Sequence, residues 1–450
     1  MHIQTGADDA SASRMSSGEI GAAARRSAAR ALSDVLDSGR SLTDALAGLS
    51  AALDSSRDRA FVRRLCNRVL RDRPALEWRL SKLLRKRLPR RAREVHFLLL
   101  CALDQLVEDR EPARAVVHAT VAATRAAGHA HLAGMVNAVL RNHQRRADEL
   151  GRLPDRASIR LGYPDWLLDR IRADWPEQWQ AIAEAGNRPP PTWLRVNQRR
   201  AAVGEIVERL AESGIEGHQD ARFPDAIRLE RSVAVAALPG FSEGLFSIQD
   251  AGAQTAARLL DLRDGQRVLD ACAAPGGKSA HILEAADVEL TAIDNDAQRL
   301  PRIEENLRRL GLNGRVALAD AASGQDFDAG ARYDRILIDA PCSATGVMRR
   351  HPDVRWLRRP GDIEGNTETQ RRILESAWSR LEPGGLLVYA SCSILRAENC
   401  EQIRAFIERN ADAQTVELDI ADCLPTNPGY QILPGSLDRD GFFYAGLRRL

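Results

Sequence analysis

Three observations predict an α/β protein with an open, mostly parallel sheet, preceded by an all-helical region and a small α/β module. From about Gly244 onward, strand-length apolar runs alternate with helical periodicity, the pattern of repeated βα units. Within that region Val268-Leu269-Asp270-Ala271-Cys272-Ala273-Ala274-Pro275-Gly276-Gly277-Lys278 reads as a buried strand entering a Gly-rich turn and then a helix. From Gly21 to about Ala147, by contrast, Ala, Leu and Arg dominate, Pro occurs only at 74, 89 and 112, and apolar residues recur at three and four. With 450 residues the chain exceeds one typical core, and about three domains are expected.

Residues 1–20 are polar and small, with no apolar signal-peptide core, and read as a disordered tail on a cytoplasmic protein. The domain at 21–150 carries stripes such as Phe61, Leu65, Val69 and Leu70. It holds 25 basic and 14 acidic residues, whereas the whole chain is only +2, so a basic, polyanion-binding module joined to a catalytic body is expected. Arg79, Lys82, Arg85, Lys86, Arg87, Arg90, Arg91 and Arg93 form a dense run that either grips phosphates or is a solvated helix face. His118, His129, His131 and His143 have no acidic or thiol partner at ligand spacing, and the seven cysteines include no C-x-x-C pair. No metal site and no disulfide framework are therefore expected. No apolar run approaches the ~20 residues of a membrane span.

At 151–243, Tyr163-Pro164-Asp165-Trp166 starts a helix carrying Trp175 and Trp179, and Pro189-Pro190-Pro191 stops it. Residues 193–196, 203–211, 226–229 and 245–248 then read as strand, helix, strand, strand. The tryptophans either stack on bases or pack between domains.

At 244–450 the remaining strands are 290–293, 315–319, 334–339, 385–389 and 441–445. The free amides of the helix after Pro275-Gly276-Gly277 favour an anionic ligand, so the turn suits a nucleotide-like cofactor. Asp294 follows about 20 positions downstream, where an acidic residue binds ribose hydroxyls, but the glycines are not G-x-G-x-x-G, which counts against a dinucleotide. Lysine occurs only at 82, 86 and 278, so Lys278 stands out where arginine is the default base. Asp339-Ala340-Pro341-Cys342-Ser343 and Ser391-Cys392-Ser393 each close a strand, which brings two thiols to one cleft if the strands are neighbours. A thiolate beside such a cofactor, without a metal, suits attack on carbon 6 of a pyrimidine: the ring becomes an enamine whose carbon 5 accepts a methyl group. Arg349, Arg350, His351, Arg355, Arg358 and Arg359 follow Cys342 closely, and contact with the phosphates of a polyanion entering the cleft is expected there over a plain solvated loop.

These motifs carry resemblances. Arg57-Asp58-Arg59-Ala60-Phe61, Glu111-Pro112-Ala113-Arg114-Ala115-Val116-Val117 and Gly134-Met135-Val136-Asn137-Ala138-Val139-Leu140-Arg141-Asn142 resemble the NusB family of RNA-binding antitermination factors, which implies a helical bundle and RNA contact. The small α/β module is similar to the accessory domain of RNA 5-methylcytosine methyltransferases. The stretches 270–278, 339–343 and 391–393 look like the RNA (cytosine-5) methyltransferases of the RsmB/NOP family, with Ser391 where that family usually has Thr. Over roughly residues 21–450 the chain resembles bacterial 16S rRNA members of that family.

The resemblance implies a Rossmann-like methyltransferase domain at 244–450, S-adenosyl-L-methionine as cofactor and 16S rRNA as partner, naked or in an early small-subunit particle. By the same resemblance the target is cytosine 967. It makes Cys392 the nucleophile and gives Cys342 a part in releasing the methylated product; in DNA cytosine methyltransferases the Pro-Cys thiol attacks instead, which would exchange the roles. It places Cys272, Ala273, Ala274, Pro275, Gly276, Gly277 and Lys278 around the methionine and ribose, Asp294 on the ribose hydroxyls and Asp320 near the adenine. Asp339 is expected to face cofactor and target base together, accepting from the cytosine amino group and so excluding uracil. A monomer with no membrane contact is expected.

Overall fold

The computed structural model describes residues 17–49, 53, 55–323, 328 and 330–450. They form two compact units that divide between Pro164 and Asp165.

Among the described residues the first unit is built from helices α1 (Ser17–Ser38), α2 (Leu42–Ala47), α3 (Ser56–Leu83), α4 (Arg93–Glu108), α5 (Ala113–Ala126), α6 (Ala133–Arg145), α7 (Ala147–Gly151) and α8 (Ala157–Leu161). Helix α1 starts inside the stretch read as a tail; residues 1–16 of that tail lie outside the described residues. Ser41 and Ser55 cap α2 and α3 by accepting from the amides of Asp44 and Asp58. Helix α4 is the core of the unit: Val95 and every residue from Phe97 to Leu103 are buried, as expected of a helix apolar on all sides. Helix α8 belongs to this unit, beyond the boundary at 150 expected from sequence.

The second unit opens with α9 (Asp165–Asp174) and α10 (Trp179–Asn187), where one helix was expected. Pro176 separates them, because proline lacks the amide and disfavours helical backbone in the residue before it. Strand β1 (Thr192–Val196), helix α11 (Val203–Glu212) and strands β2 (Gly217–Asp220), β3 (Phe223–Leu229) and β4 (Phe246–Ile248) follow. The strands form an antiparallel sheet ordered β2-β3-β1-β4, onto which α11 packs Val203, Ile206 and Leu210. Because β4 pairs with β1, this module extends to Ile248, past the boundary at 243 expected from sequence.

The rest comprises α12 (Ala251–Arg258), β5 (Arg267–Ala271), α13 (Gly277–Ala285), β6 (Glu289–Asp294), α14 (Leu300–Leu310), β7 (Arg315–Leu318), β8 (Tyr333–Asp339), α15 (Val354–Leu357), α16 (Pro360–Ser379), β9 (Leu381–Ser391), α17 (Cys400–Arg409), β10 (Ala413–Val416), β11 (Leu424–Pro425), β12 (Tyr430–Ile432) and β13 (Phe442–Arg449). The sheet runs β11-β12-β13-β9-β8-β5-β6-β7, with β10 also on β13. Strands β5 to β9 are mutually parallel where they pair, and β13 is antiparallel to β9. Alternate residues bury opposite faces: Val268 joins Ile282, Ile303 and Leu307, while Leu269 joins Ile373, Trp378 and Phe406. After β7 the chain crosses back to place β8 on the other side of β5. That reversal opens a crevice at the carboxyl ends of β5 and β8, where ligands of such sheets bind.

Candidate active site

The turn after β5 is built from strained and closely packed backbone. Cys272 has φ +63° and Gly276 φ +94°; a Cβ on Gly276 would lie 3.0 Å from the Ile303 Cα, so both the left-handed conformation and the close approach require glycine there. The Ala273 amide donates to the Ile293 carbonyl at 2.8 Å, and the Ala274 amide to the Asp294 carboxylate at 3.0 Å. The Arg299 guanidinium donates to the Ala274 carbonyl at 2.7 Å and the Asn306 amide to the Pro275 carbonyl at 2.9 Å. Neither residue was singled out from sequence, since both lie on α14 or just before it with no motif around them.

Asp294 is 2% exposed and also accepts from the Asp296 amide at 3.1 Å, so it holds the turn as well as lining it. A carboxylate has about four lone-pair directions, which leaves capacity for ribose hydroxyls. Asp320 is exposed beyond β7 and accepts from the Ala322 amide at 2.9 Å; the Ala319 amide donates to the Asp294 carbonyl at 3.1 Å, which puts the two carboxylates on neighbouring strand ends.

Asp339, at the end of β8, meets the Lys278 ammonium at 2.5 Å. Burial pulls the Lys278 pKa down, but Asp339 more than offsets it, with further help from Cys392, and the ammonium stays charged. Beneath them Asp270 is wholly buried. It accepts from the Ser279 hydroxyl at 2.5 Å, and burial raises its carboxyl to about 7. Its Oδ1 has no hydrogen-bond partner in the structure. An orphaned acidic oxygen under the turn, two further carboxylates around it and the helix amides of α13 together fit a cofactor that carries an ammonium and ribose hydroxyls. Asp270 sits inside the 270–278 motif but was not among the cofactor contacts expected from sequence.

The two thiols converge. Strands β8 and β9 are parallel neighbours with Asp339 level with Ala390, so the residues just past their ends lie side by side. The sulfurs of Cys342 and Cys392 are 3.4 Å apart and both are half-buried. The hydrogen bond to Cys392, then burial, push the Cys342 thiol well above its usual range. Either sulfur can donate in this contact. Burial, reinforced by Asp339, raises the Cys272 thiol strongly, so this third sulfur at the crevice remains protonated. Ser343, Thr345, Ser393 and Glu398 form a fully buried polar cluster against the thiol loops that the sequence analysis missed.

The arginines after Cys342 do not line the cleft as expected. Arg355 is fully buried and donates to the Asn187 side chain and the Gly186 carbonyl; Arg349 donates to the Arg439 and Pro189 carbonyls. Arg350 pairs with Asp440 and Asp250, and Arg358 donates to the Ser343 carbonyl. Of that cluster His351 and Arg359 are exposed. Trp175 and Trp193 are also buried, with indole N–H groups donating to the Ile394 and Asp438 carbonyls, so they pack within the unit and do not stack on bases. In the first unit Arg79 is buried and Arg93 pairs with Asp37, while Lys82, Arg85, Lys86, Arg87, Arg90 and Arg91 are exposed. Among the described residues no group of three His, Cys, Asp or Glu side chains is arranged to hold a metal, and no helix is long and apolar enough to cross a membrane.

Family models match in three places: the 16S rRNA methyltransferase RsmB/F family at residues 257–448, the ferredoxin-like domain of such enzymes at 163–236 and the NusB family at 22–145. Ribosomal RNA small subunit methyltransferase B of Cronobacter sakazakii is 44% identical over 424 residues, 94% of this chain and 98% of the relative. That of Klebsiella pneumoniae subsp. pneumoniae is 45% identical over 424 residues, 94% and 97%. Among solved structures, PH0851 has a TM-score of 0.81 over 97% of this chain and 100% of its own at 22% identity, a likeness of fold. A methyltransferase homologue from Pyrococcus horikoshii has 0.58 at 30% identity, covering 65% and 97%. NSun6 from Pyrococcus horikoshii with SFG has 0.58 at 21%, covering 64% and 98%. A parallel sheet with its cofactor turn at the crossover, behind ferredoxin-like and NusB-like domains, agrees with those matches throughout, and the chain belongs to the RsmB/F family of S-adenosyl-L-methionine-dependent 16S rRNA methyltransferases.

Proposed function

We propose that this chain methylates carbon 5 of a cytosine in 16S rRNA, position 967 by the resemblance, through a covalent bond between Cys392 and the base. The observation that carries the reading is the 3.4 Å approach of two sulfurs at the end of the crevice. The attacking role falls to Cys392 and the release role to Cys342 by the resemblance, and the short contact lets both sulfurs reach one ring. Its sulfur attacks carbon 6, and the electron pair of the 5,6 double bond makes carbon 5 nucleophilic. S-adenosyl-L-methionine supplies the electrophilic methyl group when bound. Cys272 to Lys278, Asp294 and Asp320 hold it, with Asp270 beneath the turn. At release a base, which we assign as the Cys342 sulfur, takes the proton from carbon 5; that C–H electron pair re-forms the 5,6 double bond, and the carbon–sulfur bond breaks with its pair returning to Cys392.

Lys278 fixes one oxygen of Asp339, and the other accepts from the exocyclic amino group of cytosine. Uracil presents a carbonyl there, so the carboxylate repels it. The basic surface around Lys82 to Arg91 docks the RNA backbone.

Methyl transfer from labelled cofactor to unmodified 16S rRNA, with the protein resolved on a denaturing gel, tests the assignment. Cys392→Ala abolishes transfer, and Cys342→Ala accumulates protein covalently bound to RNA. A trapped species in Cys392→Ala instead would exchange the two roles, and wild type that modifies no cytosine would overturn the reading.

A further inference from the structure

The cluster beneath the thiols is centred on Glu398, whose side chain has no solvent exposure. Its Oε1 accepts from the Ser343 amide at 2.7 Å and from the Asn366 side chain at 3.0 Å. Its Oε2 accepts from the hydroxyls of Ser343 and Ser393, both at 2.5 Å. These serines directly follow the two thiols, Ser343 after Cys342 and Ser393 after Cys392. Thr345 closes the cluster: its hydroxyl lies 3.2 Å from that of Ser343 and 3.1 Å from that of Ser393, and it accepts from the Ile394 amide at 3.1 Å. The Tyr389 hydroxyl in turn donates to the Glu398 carbonyl at 2.7 Å, so the backbone of Glu398 is held as well as its side chain.

Hydrogen-bond supply makes this arrangement specific. Each serine hydroxyl has one proton, and both protons go to the same carboxylate oxygen. Only an acceptor-only group can take both while its other oxygen takes two N–H donors. A carboxylate stabilised by four such bonds is tolerated in a buried site, and charge-assisted bonds of this length are strong. Strand pairing already aligns β8 with β9, but the thiols lie three residues beyond Asp339 on one side and one residue beyond Ser391 on the other, outside the ladder. Beyond the ladder the Gly346 amide donates to the Cys392 carbonyl at 2.8 Å, and the Glu398 carboxylate joins the two loops at the serines beside the thiols.

We propose that Glu398 is a positioning residue for the reaction: by tying the residue after Cys342 to the residue after Cys392, its carboxylate sets the distance between the two sulfurs. The catalytic meaning of that distance rests on the reading of Cys392 and Cys342 above; the distance itself does not. An error of about 1 Å in such a pair is enough to cost about 100-fold in rate.

The test therefore reads spacing and turnover separately, in the full-length chain. Phenylarsine oxide condenses with two thiols a few ångströms apart, forming two As–S bonds and releasing one water, so its affinity reports sulfur spacing without any methyl transfer. Wild type is compared with Glu398→Gln and Glu398→Ala, and Cys342→Ala gives the baseline with one thiol absent. Glutamine keeps the length but has one acceptor oxygen, so whichever way its amide faces, one pair of the four donors meets an NH2 in place of an acceptor. Expected for both Glu398 variants is arsenical affinity about tenfold weaker, kcat about 100-fold lower and KM for 16S rRNA within about twofold, with cofactor affinity and cooperative unfolding retained. If the alanine variant does not fold, the glutamine variant carries the same comparison. Wild-type arsenical affinity in a folded Glu398 variant overturns the proposal. Weakened affinity with undiminished methyl transfer upholds the spacing role of Glu398 and instead removes the two-thiol reading of the reaction.

Discussion

Two arginine-rich stretches of this chain read alike in sequence, yet one is solvated and the other is largely buried in its own unit. At 79–93 six of eight cations stand in solvent, and Arg85, Lys86 and Arg87 have no carboxylate pair among the described residues; at 349–359 the guanidiniums of Arg349, Arg350, Arg355 and Arg358 turn inward onto carbonyls and carboxylates. The difference teaches that density of positive charge does not identify a nucleic-acid surface. What decides is whether carbonyl and carboxylate acceptors converge on the same stretch in the fold. Arginine serves either role because its planar fork satisfies several acceptors at once.

The contrast is sharpest at Arg355. Arg355→Ala is expected to destabilise the second unit by about 3 kcal/mol, because Asn187 and Gly186 lose buried partners and a cavity remains. Urea unfolding measures it, and stability equal to wild type would erase the distinction between the stretches. Replacing Arg85, Lys86, Arg87, Arg90 and Arg91 together by alanine should leave unfolding unchanged and weaken rRNA binding. The slope of log affinity against log salt should shrink by about 0.7 to 0.9 for each phosphate that is no longer neutralised, and an unchanged slope would move the RNA surface elsewhere.

Acidic groups extend the comparison. Burial raises Asp270 to about 7, above its unfolded value, so the folded state binds a proton there that the unfolded chain releases. Stability from this group is full below the unfolded pKa near 4 and is lost as pH rises to about 7. Asp270→Asn should flatten that part of the stability profile, followed by urea unfolding between pH 4.5 and pH 8, buffers spanning the about 3-unit window. The smallest effect is expected at Arg359, exposed at the end of the inward-turned stretch. Arg359→Ala should leave unfolding within error of wild type, and a loss like that of Arg355 would show that the boundary between the two behaviours lies elsewhere.

Much of the catalytic sheet was legible because its strands are buried on both faces and stand out as apolar runs, as at Leu290–Ile293 and Ile336–Ile338. The short edge strands β2, β10 and β11 carried no such signal: Gly217-His218-Gln219-Asp220 has an exposed polar centre. Trp175 and Trp193 were ambiguous from sequence, because an aromatic ring serves a core as well as a base, and only their buried indole partners resolve it. Arg299, just before α14, and Asn306, on it, brace the turn from 25 and 31 residues away, a partnership that no local spacing announces.

By itself the sequence determined what is written locally: the glycine that a left-handed turn requires, the helix that follows it, the thiols and carboxylates at strand ends and the apolar periods that build a parallel sheet. These depend on a residue and its near neighbours, so order along the chain is enough to specify them. Only the tertiary structure decided which groups meet. It brought Cys342 within 3.4 Å of Cys392 across 50 residues, put Glu398 under both thiol loops, and turned one arginine run inward while leaving another in solvent. Those outcomes depend on strand order and on the number of acceptors facing each buried donor, and both arise when distant segments pack together.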